Sequence, residues 1–144
     1  MTLRGSGPYR NVVFLGAALD DLRRVAARSP EVAREVLRTL KRLDAGTERP
    51  RPLNDFAKTG DLTDCGKFVV LVEGQPEHRI VVCDRGGRFE VSEVIAVEAR
   101  EGDLPYLLAG LRLGRLTDPI RRSDAQRRVA RIQRLLESEP TEER

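Results

Sequence analysis

Three β-rich runs follow one another with only turns between them, and that closeness constrains the fold more than anything else in the chain. The runs are "KFVVLVE" (residues 67–73), "HRIVVCD" (78–84) and "FEVSEVIAV" (89–97). "GQPE" separates the first two and "RGGR" the last two, both turn sequences. Connections this short suit antiparallel neighbours, because a parallel crossover needs a dozen or more residues. An antiparallel meander is therefore expected, and it needs another layer to bury its apolar face.

The preceding sequence supplies that layer. "NVVFLGA" (11–17) reads as a short opening strand, after which Leu19, Leu22, Val25 and Ala26 recur at helical spacing. Asp20 and Asp21 would sit in the first turn of this helix, where negative charge suits the dipole. In "RSPEVAREVLRTLKRLDAG" Ser29 is an N-cap, Pro30 the first helical residue and Gly46 the C-terminal stop. Val36, Leu37, Leu40 and Leu43 form its apolar stripe. "TERPRPLNDF" reads as an extended loop, and "LPYLLAGLRLGRL" as a helix packing back through Leu104, Leu107, Leu108 and Leu111. The expected class is α+β: an N-terminal strand and helical hairpin on one face of an antiparallel sheet, followed by C-terminal helix or helices.

A chain of 144 residues with 40% hydrophobic and 34% charged residues suits a globular protein with one main core. No run approaches the roughly 18 apolar residues of a membrane helix, and the first residues lack the apolar core of a secretory signal. Cys65 and Cys83 are too few for a disulfide framework and are read as core thiols; no zinc spacing is present. A reducing cytoplasm is the expected compartment, with no metal and no cofactor. The net charge of +3 rests on arginine, with Lys41, Lys58 and Lys67 the only lysines. Guanidinium groups suit phosphate, but an arginine-rich composition also follows from a GC-rich coding sequence, so composition leaves nucleic acid undecided. Residues 115–134 carry seven arginines against Asp118 and Asp124, with a thin stripe of Val129, Ile132 and Leu136. The expected organisation is a domain over 1–116 and an Arg-rich helical extension over 117–144. Its end, "ESEPTEER", is expected to be disordered.

"SPEVAREVLRTLKRLDAG", "GDLTDCGKFVVL", "HRIVV" and "EVIAVEARE…Y…A…RL", in this order, resemble the RelE/ParE toxin superfamily of toxin–antitoxin modules, over residues 12–116. The resemblance implies a RelE-like fold and a ribosome-dependent mRNA interferase that cuts A-site message by attack of the RNA's own 2′-hydroxyl on phosphorus. It implies as partners the ribosome, mRNA and a cognate antitoxin bound in a hetero-oligomer, with no membrane. By position it implies Arg79, Arg100 and Tyr106 as catalytic residues, with Lys67, Arg79 and Arg100 binding RNA. Where relatives carry other residues this chain has His78, Val69, Glu98 and Ala99, which makes Glu98 and His78 candidate modulators. The alternatives are a ParE-like DNA gyrase inhibitor and a RelE-fold binding protein without catalytic activity.

Strand parity adds a physical expectation. Ile80 and Val82 would face the helices, with His78 on their side, and Arg79, Val81 and Cys83 an open face. Arg100 shares parity with Val94, Ala96 and Glu98, which places Glu98 on the same face as Arg100. There it would either neutralise the arginine or accept a proton. Arginine, always charged, is assigned to electrostatic stabilisation of the phosphorane-like charge. Tyr106 is assigned to orient or deprotonate the 2′-hydroxyl or to stack on a base.

Overall fold

The computed structural model describes residues 8–85 and 91–138. The chain runs β1 (Val12–Phe14), α1 (Gly16–Arg28), α2 (Pro30–Asp44), β2 (Arg51–Pro52), β3 (Asp55–Phe56) and β4 (Gly60–Asp61). β5 (Cys65–Val70), β6 (His78–Asp84), β7 (Ser92–Ala99), α3 (Leu104–Arg112) and α4 (Pro119–Ser138) follow. The α+β class holds. Five strands form one sheet in the order β1-β7-β6-β5-β2, and β3 pairs with β4 separately. The meander β5-β6-β7 is antiparallel throughout, whereas β1 joins β7 in parallel, so the sheet is mixed.

Local chemistry explains the helical hairpin. Ser29 Oγ accepts the Val32 N–H at 3.2 Å and Pro30 opens α2. Helix α2 closes at Asp44, with Gly46 beyond it at φ +77°. Helix α1 starts at Gly16, two residues earlier than the spacing predicts, so Asp20 and Asp21 lie past its first turn. Its inward row is Ala18, Asp21 and Val25, which leaves Leu19 exposed. The α2 row is Val32, Val36, Leu40 and Leu43, with Leu37 at its rim. Strand β5 ends at Val70 rather than Glu73, and the Pro-rich loop contributes β2 to the sheet edge, a position where Pro52 costs no ladder bond. Helix α3 stops at Arg112. Glu137 and Ser138, expected in a disordered tail, instead close α4, while residues 86–88 of the "RGGR" turn, Phe89 and the tail from residue 139 lie outside the described residues.

One expectation fails outright: the second face of the sheet is not open. The first core joins α1 and α2 to Phe68, Ile80, Val82 and Val97. A second core, on the other side, joins Val81, Cys83, Ile95 and Ala96 to Leu104, Leu108 and Ala109 of α3 and Ile132 of α4. Helix α4 packs outside α3 through Ala125 and Ile132. Two glycines set this layer. A Cβ at Gly110 would collide with the Thr59 carbonyl, so α3 can meet the β3–β4 hairpin backbone to backbone. Gly102, at φ +56°, lies under Ile132 with 2.6 Å to a hypothetical Cβ. No helix among the described residues is long and apolar enough to cross a membrane.

Strand β1 is only three residues long, so the outer edge of β7 outruns it. Leu15 N–H still reaches Val94 O at 3.0 Å, but the next groups need other partners. Asp21, fully buried, accepts Val97 N–H at 3.0 Å, and Arg112 donates to Ile95 O at 2.9 Å. The two side chains pair with each other at 2.6 and 2.9 Å. Glu98 accepts the Ala99 N–H at 2.8 Å and Arg28 at 2.6 Å. A buried ionic seam thus stands in for the missing length of β1.

Candidate functional site

The four cationic and aromatic candidates arrive from four segments. Lys67 projects from β5, opposite Val81. Arg79 stands on β6 and Arg100 one residue beyond β7. Tyr106 lies in the first turns of α3. The sheet register and the packing of α3 on the second face bring them to one end of the sheet. Lys67 Nζ sits 5.9 Å from the centroid of the Tyr106 ring, a cation–π contact. Arg79 and Arg100 converge on one carboxylate, Glu77: Arg79 Nη2 pairs with Glu77 Oε2, and Arg100 Nε lies 3.9 Å from the same oxygen. The Arg100 N–H also donates to the Glu77 carbonyl at 2.9 Å. The two guanidinium groups differ in setting. Arg79 is buried to 8% exposure and its Nε has no hydrogen-bond partner, whereas the Arg100 side chain is 60% exposed.

Burial, more than any charge, raises the pKa of the Tyr106 hydroxyl; Arg79 and Arg100 pull the other way. The side chain is therefore a phenol at neutral pH, suited to hydrogen bonding and stacking rather than to proton abstraction. His78 does lie on the α1 side, as parity predicts, with Nδ1 2.8 Å from Pro76 O. Burial lowers its pKa, and the Arg28 charge lowers it further. It is held neutral and away from the arginines' carboxylate.

Glu98 is a correction. Although its register partner is Arg79, it is fully buried and bound to Arg28 and to the Ala99 N–H. Its carboxylate is committed to Arg28, so it does not neutralise Arg100. The parity argument does break at a β-bulge, but for Val94 rather than Glu98: Val81 opposes Ala96 while Val82 opposes Val94, so Ile95 is inserted between them. Val94 faces the first core and Ala96 the second. Arg100 has already left extended geometry, at φ −66° and ψ −11°. Glu77 is the residue sequence reasoning missed. Its signal was present, because it stands two positions before Arg79 and so shares its face. Val69 lies directly across from Arg79 and is exposed.

A cleft of about 510 Å³ opens beside Lys67 and Tyr106, walled by Leu53, Phe56, Lys58 and Leu62. Phe56 is 55% exposed there. Lys58, 3.9 Å from Asp103, also borders a second cleft of about 350 Å³ with Arg121, Arg128 and Arg131 of α4. Among the described residues Arg128 and Arg131 have no acidic partner, while Arg127 pairs with Asp124. The cationic surface therefore continues from the sheet end onto α4. Elsewhere, the side-chain ligand atoms of Asp64, Cys65 and Cys83 gather within 4.8 Å of one another.

Fold and cluster together define an α+β protein with a cationic, aromatic site at one end of a mixed sheet. Comparison with protein-family models, with curated proteins and with solved structures found no match to this chain.

Proposed function

We propose that this protein is a RelE-like toxin of a type II toxin–antitoxin module, binding messenger RNA on the ribosome and cleaving it by attack of the 2′-hydroxyl on the adjacent phosphorus. One observation carries the reading. Lys67, Arg79, Arg100 and Tyr106, the positions that the resemblance singles out from four separate segments, lie together at one sheet end. In the reaction the 2′-oxygen gives up its proton to water and bonds to phosphorus, and the 5′-oxygen leaves and takes a proton from water, so negative charge gathers on the non-bridging oxygens. Fixed guanidinium groups stabilise that charge, and Arg79, aimed by its burial, is the better fixed of the two. Tyr106 hydrogen-bonds a hydroxyl or stacks on a base, and Lys67 holds backbone phosphate. The cytoplasm, the ribosome and a cognate antitoxin in a hetero-oligomer belong to the same proposal.

Glu77 occupies the place where phosphate would sit. It acts in this reading as an electrostatic gate that RNA displaces. Glu77→Gln is therefore expected to tighten RNA binding at low salt and to leave or raise cleavage, with the gain shrinking as salt rises. Cleavage abolished with binding intact would make Glu77 the proton acceptor instead. The same ion pairs favour a second reading, a binding protein on this framework without cleavage.

The test is induction of the protein in a bacterium. Growth arrest with cut, ribosome-engaged messages is the expected outcome. Arrest with intact messages and loss of gyrase supercoiling would favour the ParE-like alternative, and binding without either effect the non-catalytic one. The α4 arginines give a separate measurement. If RNA continues along them, the Arg128→Gln, Arg131→Gln double variant should flatten the dependence of log affinity on log salt by roughly 1.4, two single-strand phosphate contacts. An unchanged slope would confine RNA to the sheet end.

A further inference from the structure

Strands β5 and β6 meet in a pair of cysteines. Cys65 opens β5, Cys83 is the next-to-last residue of β6, and the register sets them directly opposite each other. The backbone of Cys65 turns away from β6: its N–H donates to Leu62 O at 2.9 Å and its carbonyl accepts from Leu53 N–H at 3.0 Å. The ladder bond to β6 falls one residue away, from Asp84 N–H to Asp64 O at 3.1 Å. Cys65 and Cys83 are therefore a non-hydrogen-bonded antiparallel pair. In such pairs the Cα atoms approach to about 4.5 Å and the side chains come closest. A disulfide accepts Cα separations from about 4.4 to 6.8 Å, so this site can be bridged without moving the backbone. The two sulfurs are already 2.9 Å apart.

The surroundings favour oxidation over metal binding. Asp64 Oδ1 lies 3.6 Å from Cys65 Sγ, and Oδ2 3.9 Å from Cys83 Sγ. Both oxygens, however, are clamped by Arg115 at 2.7 and 2.8 Å. A divalent cation would have to share that carboxylate with a guanidinium charge, and two thiolates plus one carboxylate fall short of a four-ligand zinc site. Arg115 does suit a thiolate. The hydrogen bond from Cys65 lowers the pKa of Cys83, and Arg115 adds to the effect, while the same hydrogen bond together with burial keeps Cys65 protonated. Cys65 and Cys83 are only 1% and 3% exposed, so the oxidant must be small.

We propose that Cys65 and Cys83 form a redox-active dithiol, which closes to a cross-strand disulfide when oxidised by hydrogen peroxide. The Cys83 thiolate attacks one peroxide oxygen, the O–O bond breaks, and hydroxide leaves to take up a proton as water. Cys83 is then a sulfenic acid. Cys65 sulfur attacks Cys83 sulfur, the S–O bond breaks, and the departing hydroxide takes the Cys65 proton as a second water. Two thiols lose two electrons and the peroxide gains them. This dithiol is independent of the RNA reading and of the residues at the other end of the strands.

The experiment treats the full-length reduced protein with a modest excess of hydrogen peroxide, quenches it, denatures it in alkylating reagent and weighs it. The expected product is a monomer lighter by two hydrogens, with neither thiol alkylated and full recovery by dithiothreitol. Closing this loop should also raise Tm by roughly 5–10 °C. Cys65→Ser should halt at a sulfenic acid on Cys83 that a 1,3-dione reagent traps. Two alkylated thiols after peroxide, a sulfinic acid on either cysteine, or disulfide-linked dimers would each overturn the proposal. So would protection of both thiols by one equivalent of zinc. The wild-type mass decides even if the serine variant does not fold.

Discussion

Asp21→Ala should lower the unfolding free energy by about 3–5 kcal/mol, the cost of removing one partner from a buried ion pair. The carboxylate is fully buried, is bound to two arginines and holds an edge N–H of β7. Its loss strands Arg112, whose side chain is only 15% exposed, together with the Val97 N–H. Arg24, 35% exposed on the same carboxylate, can turn to solvent and adds little. Since small domains are stable by about 5–15 kcal/mol, the variant should sit near its folding threshold. Asp21→Asn keeps an acceptor for Val97 and should cost less. The Asp21→Leu, Arg112→Met double variant should be more stable than Asp21→Ala, because it leaves no unpaired charge behind. Urea unfolding checks all three: the midpoint should move and the slope should not. A loss under about 1 kcal/mol for Asp21→Ala would mean that water or another side chain satisfies the β7 edge.

That seam also marks where the sequence stopped being legible. Asp21 reads naturally as a dipole-compensating charge near a helix start, because nothing local tells it from Asp20. What separates them is that β1 is only three residues long, which leaves alternate groups of β7 without a strand partner. The helical hairpin was readable because its signals are local: Ser29, Pro30, Gly46 and a 3.6-residue apolar period. The meander was readable from its turns. The covered second face was not, although Val81, Cys83 and Ile95 were as apolar as Ile80 and Val82. Apolar residues on both faces of β6 are the mark of a doubly covered strand. At the site the same division holds. The convergence of Lys67, Arg79, Arg100 and Tyr106 came from resemblance. The parity argument put Glu98 on the strand face of Arg79, as the register does, but nothing local to β7 announces that Arg28 of α1 and the Ala99 N–H take its carboxylate. Applied to β6, the same alternation points to Glu77, two positions before Arg79.

The contrast between the two arginines gives the largest expected effect on activity. If phosphate is held where Glu77 now sits, Arg79→Ala should slow message cleavage by roughly 10²–10³-fold, the usual loss when a preorganised charge contact is removed. Arg100→Ala should cost less. Its side chain is 60% exposed and 3.9 Å from the shared carboxylate, so it must be ordered by the substrate, whereas burial has already ordered Arg79. Preorganisation, rather than charge count, sets the ranking. Arg79→Lys separates the two terms: it keeps the charge but loses the planar fork, and should recover RNA affinity better than it recovers rate. Because Arg79 is largely buried, its alanine variant needs a thermal melt alongside the assay. Glu77 is 36% exposed and can rehydrate once unpaired, so Tm should fall only modestly. A folded Arg79→Ala that still cleaves at the wild-type rate would remove the arginine pair from the chemistry. Equal losses for Arg79→Ala and Arg100→Ala would mean that the bound RNA, not the fold, fixes both guanidinium groups.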